Sequence, residues 1–559
     1  MSAGASAIAA ARWGGRTIDV LLERPRAVLG VLAGAQIAST IVLGQVVEHN
    51  GWVWFQGGDQ IVNTTTGWLA GQRILPPTEI SYVWPLVQTP LTWITGPTFL
   101  QAMPTIVVLQ VLVLGPVALG CVYAIASHIG GRLLGYWAAL LWVVAPFAVI
   151  PLFVDRYHEK WTEQFLPQAL GLTAMPDFPS MVLVLVAALL VVRSLRDAGW
   201  TDAVLAGLVA GTAGGLKPPN YLFVVGAVLA YLVARRWRGG ALFLVALAPS
   251  LLVVAFWKDR GLGYIPALSL EETRLAAGID LPGRDQFNRY VELDWDHWRA
   301  QMDQLREFFW SARLAQWAPF AGLLAVLRVH RSPIAALLAG WLGAFILVKG
   351  FSDRADIQEN TFWRLLMPAW PAYLLLFASI PLLVPGVAAR LGQRLSPPTH
   401  ARIAPRWIVL TAVVTLVVPA LATAASSQLE PPSPPALVQD LVTSTILTPV
   451  DSGIRLEVAP EGAGSTLRWS SDASWRADVF YRIYRSDGTG ADTFCVTAAN
   501  VAWNCYLKSR PIGTTRDETF VDPSPPPSAT YRIGVGTNWA DDPEEGDVFA
   551  LSPAVEVSR

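Results

Sequence analysis

The sequence predicts a polytopic α-helical membrane protein of about eleven transmembrane helices, followed by an extracytoplasmic all-β sandwich. Three observations carry this expectation. The 559 residues are 53% hydrophobic and only 15% charged, with a mean hydropathy of +0.42. Apolar runs recur at the roughly 17–25 residues that a bilayer crossing needs. After residue 424 the text changes to short alternating segments of strand type.

The apolar runs fall at 27–47, 104–127, 133–151, 178–195, 202–216, 219–234, 241–257, 312–328, 333–350, 364–384 and 407–424. Arg12, Arg16, Arg24 and Arg26 precede the first, and no small-residue cleavage site clearly follows it. The run is therefore expected to be a start-transfer span and not a removed signal peptide. Arginine marks alternate short connections: Arg132, Arg193/Arg196, Arg235/Arg236/Arg238, Arg328/Arg331 and Arg390/Arg394/Arg402/Arg406. Placing these and residues 1–26 in the cytoplasm satisfies the positive-inside rule, with the C-terminus outside. The expected location is the plasma (inner) membrane. The other connections, 48–103, 152–177, 258–311 and 351–363, are long and rich in Trp, Asp, Glu and Pro, the kind of loop that carries sites. In the third, 285–309 reads as an amphipathic helix lying along the membrane surface.

The net charge of −1 gives no field for nucleic acid, and no nucleic-acid motif is present. Lysine is scarce, 5 against 36 arginines. Four of the lysines, Lys160, Lys217, Lys258 and Lys349, fall at or near one predicted face of the bilayer. Such a ring of ammonium groups suits a phosphate-bearing lipid.

Chemistry-bearing residues concentrate in the outer loops. Asp59 heads a helix-like stretch in Gly57-Gly58-Asp59-Gln60; it is either a plain N-cap or a functional acid, and the paired glycines let backbone approach a ligand. Lys217, in Gly214-Gly215-Leu216-Lys217-Pro218-Pro219, costs roughly 2.5–3.5 kcal/mol at bilayer depth unless it meets a cavity, a partner or headgroups. The nearby glycines lack nucleotide-loop spacing, and no Ser or Thr follows Lys217. Asp155-Arg156-Tyr157-His158-Glu159-Lys160 is a solvated charge cluster or part of a binding site. Asp59 with Asp155 or Glu159 would make an oxygen site for a divalent cation (Mg, Mn or Ca). Zinc is not expected, because no second histidine stands at its spacing. Arg364 opens the tenth span, where the helix dipole disfavours it; interfacial anchoring and phosphate binding are the two readings.

Past 424, residues 425–452 are Pro/Ser-rich and read as a linker, and 453–559 as the sandwich. The strands at 454–458, 466–469, 479–484 and 530–535, with Leu467/Trp469, Tyr481-Arg-Ile-Tyr-Arg485 and Tyr531-Arg-Ile-Gly-Val535, resemble a fibronectin type III domain. The sandwich is expected to bind glycan, cell wall or a partner protein. Outside the membrane, Cys495 and Cys505 are expected to form a disulfide, two free thiols being the alternative.

Within 27–424 the motifs fall in a set order. Gly58-Asp59-Gln60 follows the first span, then Tyr82-Val-Trp-Pro85, Gly130-Gly131-Arg132 and Ala145-Pro146. Gly207-Leu-Val-Ala-Gly211 with Leu216-Lys217-Pro218 and Trp363-Arg-Leu-Leu-Met-Pro368 complete it. This order resembles the GT-C superfamily of polytopic glycosyltransferases, especially the polyprenol-phosphate-sugar-dependent kind related to protein mannosyltransferases and actinobacterial cell-envelope enzymes. The resemblance implies a polyprenyl-phosphate sugar donor entering from the bilayer and transfer to a cell-envelope glycan or glycoprotein. It implies Asp59 as the base that activates the acceptor, with Lys217 and Arg364 on the lipid phosphate. Arg156, Lys160, Gln60, His158 and Glu159 are further candidates for binding substrate. The commonest family pattern has two adjacent acids in the first loop. Here the second position is Gln60, which leaves metal dependence open. A transporter or flippase of lipid-linked precursor and an inactive GT-C-like scaffold are the alternatives.

Overall fold

A computed structural model describes residues 23–46, 58–76, 80–96, 99–197, 199–262, 265, 294–350, 356–357, 361–387, 403–428, 438–440, 446–447, 453–471, 479–490, 492–497, 503–537 and 547–558. All eleven expected spans contain helix. They begin with α1 (Pro25–Val46). The first loop carries α2 (Gly58–Gly71) and α3 (Val83–Thr95). Then come α4 (Gln101–Gly130) and α5 (Arg132–Ala148). The second loop holds the short α6 (Asp155–Lys160). Three packed helices follow: α7 (Asp177–Asp197), α8 (Trp200–Leu216) and α9 (Phe223–Val233).

Next are α10 (Trp237–Leu262), α11 (Trp295–Phe308), α12 (Ala312–Arg328) and α13 (Ser332–Lys349). The tenth span is broken into α14 (Thr361–Leu366), a 3-10 turn at Met367–Ala369 and α15 (Trp370–Ser379). Pro368 and Pro371 account for the break, because proline removes a backbone donor and crowds the preceding turn. The last helix is α16 (Arg406–Ala425).

Among the described residues, seven helical stretches are long and apolar enough to cross a membrane: Pro25–Gly44, Gln101–Gly130, Asp177–Arg196, Trp237–Leu262, Ser332–Lys349, Phe362–Leu383 and Arg406–Ala425. Arg132–Ala148 and Pro218–Val233 are shorter apolar helices. Large apolar side chains such as Leu252, Leu324 and Val409 stay uncovered on the outer faces, an arrangement that needs lipid as its solvent. The chain is a multi-pass helical membrane protein with a strand-rich C-terminal region.

Close helix packing follows from small residues. A Cβ on Gly207 would lie 2.2 Å from the Phe243 carbonyl oxygen, and one on Gly211 2.6 Å from Ser250 Oγ. The Gly-x-x-x-Gly face of α8 therefore lets α10 approach backbone to backbone. Of the amphipathic segment expected at 285–309, residues 285–293 lie outside the described residues. The rest forms α11, whose N-cap Asp294 accepts hydrogen bonds from the backbone N–H of Asp296 and His297 at 2.9 and 3.0 Å.

Within the expected linker 425–452 the structure describes short strands. β1 (Ile74–Leu75), in the first loop, pairs in parallel with β2 (Ser427–Gln428). β3 (Val438–Asp440) pairs with β4 (Ile446–Leu447) and, in parallel, with a strand of the following region.

That region forms three sheets. β5 (Arg455–Glu461), β6 (Gly464–Ser470) and β11 (Thr519–Asp522) make one of them, in the order β11-β6-β5. β7 (Val479–Asp487) and β12 (Ser528–Thr537) centre the second, flanked by β10 (Arg510–Thr515), β13 (Asp547–Leu551) and β14 (Val555–Ser558). The third joins β3 and β4 to β8 (Thr493–Thr497) and β9 (Trp503–Leu507). Its register sets Cys495 directly opposite Cys505. Trp469 and Tyr481, from different sheets, meet edge to face with centroids 5.3 Å apart.

Asp522 ties this region together. Only 2% exposed, it accepts from Tyr531 Oη at 2.7 Å, from Arg485 Nη1 at 2.9 and 3.1 Å, and from Ser524 N at 3.1 Å. Burial alone would raise its pKa, but the hydrogen bonds from Tyr531 and Arg485 hold it below the ordinary carboxylate value. A depressed folded pKa gives stability that is present above the unfolded value, roughly 3.9, and lost as pH falls through the folded one. Asp522→Asn is expected to cost about 3 kcal/mol at pH 7, the cost of breaking a buried pair. It should also remove this contribution to acid sensitivity. Hydrogen exchange of 453–537 in the full-length protein, at pH 7 and pH 3, checks both.

Candidate functional site

The site grows from the start of α7. Asp177 stands at its N-terminus behind Pro176, a position the helix dipole favours, and is fully buried. A buried carboxylate is tolerated only with cationic partners. Lys217 Nζ pairs with Asp177 Oδ1, and Arg364 Nε donates to Asp177 Oδ2 at 3.1 Å. Arg364 Nη2 pairs in turn with Asp59 Oδ2. Two acids and two bases from four separate segments thus form one chain, Asp59–Arg364–Asp177–Lys217.

Local sequence explains how each arrives. Lys217 is the extended residue that ends α8 (φ −147°, ψ 111°), since the two following prolines cannot continue the helix. Asn220, in the turn after it, donates to the Ala213 carbonyl at 2.7 Å and to Ser180 Oγ, one turn along α7 from Asp177. Gly214 and Gly215 leave room for aromatic rings: a Cβ on them would fall 2.2 Å from Tyr221 and 2.6 Å from Tyr82. Arg364 lies on α14, whose neighbour Trp363 donates from Nε1 to Tyr157 Oη at 2.9 Å.

Gln60 has a structural task that the sequence did not reveal. Fully buried, it accepts the backbone N–H of Ala174 at 2.6 Å through Oε1. Trp84 Nε1 donates to the Ala174 carbonyl at 2.6 Å, and Gln110 Nε2 to the Thr173 carbonyl at 2.5 Å. Gln110 opens a π turn in α4, the register change that brings a side chain to a special task. The irregular backbone before Asp177 is therefore satisfied by side chains from three helices, as non-helical chain at membrane depth requires. Gln60 Nε2 itself has no partner among the described residues.

Asp59 is the accessible member, its side chain 57% exposed. The Arg364 guanidinium beside it holds its carboxyl below the usual carboxylate range, and Lys217 adds to the effect.

The remaining candidates lie elsewhere. Arg156 pairs with Glu307 and sits 4.9 Å over the Phe308 ring. His158 Nε2 is 2.9 Å from the Phe153 carbonyl oxygen. Asp155 and Glu159 are exposed, and Lys160 ends α6 half-buried. The α6 residue that supports the site is Tyr157, through Trp363. Among the described residues no group of three or more His, Cys, Asp or Glu side chains comes together. The acids that do converge already face Arg364 and Lys217, so this donor set does not fit a divalent cation.

A narrow apolar crevice with only about 10 Å³ of free space lies near the network in sequence. Its lining includes Gln36, Trp142, Phe165, Met181, Met367 and Trp370. Met181 follows Asp177 by four residues and Met367 follows Arg364 by three, one turn away in each case. A larger polar cavity of about 700 Å³ lies apart in the strand-rich region, lined by Arg485, Asp487, Lys508 and Arg510 among others.

No protein-family model matches the chain, and no curated protein matches it significantly. Among solved structures it is similar to the oligosaccharyltransferase of Archaeoglobus fulgidus in the apo form, at 11% identity and a TM-score of 0.39. It is also similar to the archaeal oligosaccharyltransferase AglB from Archaeoglobus fulgidus in complex with an inhibitory peptide and a dolichol-phosphate, at 12% identity and 0.36. Each match covers 73% of this chain and 56% of the other, so the chain spans little more than half the length of these structures. At this level of similarity the functional reading rests on the site itself.

Asp177→Asn should cost about 3 kcal/mol or more, because it leaves Lys217 and Arg364 without their shared counter-ion. Asp155→Asn, on an exposed residue, should stay within about 0.5 kcal/mol. Thermal unfolding of the two variants in the same detergent compares them.

Proposed function

We propose that the chain is a GT-C-type membrane glycosyltransferase. It moves a sugar from a polyprenyl-phosphate donor to an extracytoplasmic cell-envelope acceptor with inversion. The observation that carries this reading is the Asp59–Arg364–Asp177–Lys217 network, in which a buried carboxylate fixes two cations and one of them holds an accessible acid. Paired cations beside an accessible carboxylate suit a ligand with an anionic head and a hydroxyl-bearing acceptor. On this reading residues 27–424 are the catalytic domain, crossing the membrane eleven times with the N-terminus inside. Residues 453–559 form a fibronectin type III-like sandwich outside, with Cys495 and Cys505 joined.

The chemistry needs few groups. The acceptor hydroxyl oxygen attacks the anomeric carbon from the face opposite the phosphate. The bond from that carbon to the phosphate oxygen breaks, and its electron pair leaves with polyprenyl phosphate. The hydroxyl proton passes to the Asp59 carboxylate. Phosphate leaves without protonation, so no general acid is required, unlike in glycoside hydrolysis. Arg364 and Lys217 offset the charge that grows on the leaving group in a low-dielectric site, while buried Asp177 fixes both cations.

Two measurements test this. Asp59→Asn should lower the transfer rate about 100-fold or more, the usual worth of a general base, with the unfolding temperature unchanged. Full activity would remove Asp59 from this role. Lys217→Met should lower the transfer rate by a similar factor, because it takes a cation from the leaving phosphate. An unchanged rate would remove Lys217 from this role.

A further inference from the structure

Arg364 touches both carboxylates of the site, through different nitrogens of its guanidinium. Nη2 pairs with Asp59 and Nε donates to Asp177 Oδ2 at 3.1 Å. The two acids have unlike surroundings. The Asp177 side chain is fully covered and also holds Lys217, so no water can take over its ion pairs if they break. The Asp59 side chain is 57% exposed and can exchange its cation for solvent. An anion arriving at Arg364 therefore competes for Nη2, while Nε stays on Asp177.

We propose that the donor phosphate displaces Asp59 from Arg364, so that seating the leaving group and freeing the base are one event. This rests on the reading of the site as a donor-phosphate site. While paired with Arg364, Asp59 is a bound counter-ion and a weak base, because the Arg364 field lowers its proton affinity. Once phosphate holds Nη2, Asp59 faces an anion in place of a guanidinium, and its proton affinity rises. No covalent bond changes in this exchange; one ion pair replaces another. Asp177 is the positioning residue that keeps Arg364 from following either partner away. The acceptor hydroxyl is activated only after the donor is in place, which makes the reaction ordered.

The test is binding of farnesyl phosphate, with inorganic phosphate alongside, to the full-length protein in nanodiscs by isothermal titration calorimetry. Asp59→Asn, and Asp59→Ser, which removes the amide as well, should bind farnesyl phosphate about fivefold tighter or more, the worth of one partly exposed ion pair. Arg364→Gln should bind it more weakly, and adding Asp59→Ser to Arg364→Gln should give no gain. Unchanged or weaker binding in both Asp59 variants overturns the exchange, as does an equal gain without Arg364. The same coupling for inorganic phosphate at equal affinity would keep the exchange but overturn the lipid as its agent. If wild type binds neither probe, the donor-phosphate reading fails before the exchange is reached.

Discussion

The fold around the site depends on a single buried carboxylate. Asp177 begins an apolar helix with no solvent contact, and a lone charge there would not remain ionised. Its presence requires Lys217 and Arg364 to converge. The proline-broken segments Pro218–Leu222 and Met367–Ala369 follow the two cations closely in sequence. The strand-like backbone just before Asp177 is in turn pinned by Gln60, Trp84 and Gln110.

The network is locally neutral, two acids against two bases, and this shapes what it can do. Neutral as a set, it can sit in a low-dielectric bundle without a large desolvation penalty. Its members come from α2, α7, the end of α8 and α14, so the cations are oriented by the fold before any ligand arrives. Such preorganisation is the main source of electrostatic catalysis.

Much of the helical architecture was legible because bilayer length imposes itself on composition. Each of the eleven apolar runs falls on helix, and Asp59, Lys217 and Arg364 stood out as charges beside apolar text. Asp177 did not, because it sits on the boundary between a polar loop and a span and reads as an ordinary N-cap. An acid adjoining a long apolar helix was the available signal. Gln60 looked like a missing acid, whereas its place is set by a backbone group more than a hundred residues away. In the charged cluster Asp155–Lys160 an uncharged residue stood unremarked: Tyr157, which reaches toward Arg364 through Trp363. The strands within 425–452 were hidden by proline and serine, since their partners lie far off along the chain.

The parallel pairing of Ile74–Leu75 with Ser427–Gln428 joins the exit of the last helix to the segment that follows α2, and Arg260 Nε holds the adjoining Ser426 carbonyl at 2.9 Å. The strand-rich region is thereby moored at two backbone rungs, one short helix away from Asp59. A pull on that region is carried to these rungs, and through them to the helix bearing the accessible acid. A tether of this kind makes the strand-rich region a mechanical neighbour of the charged network, and not a passive appendage.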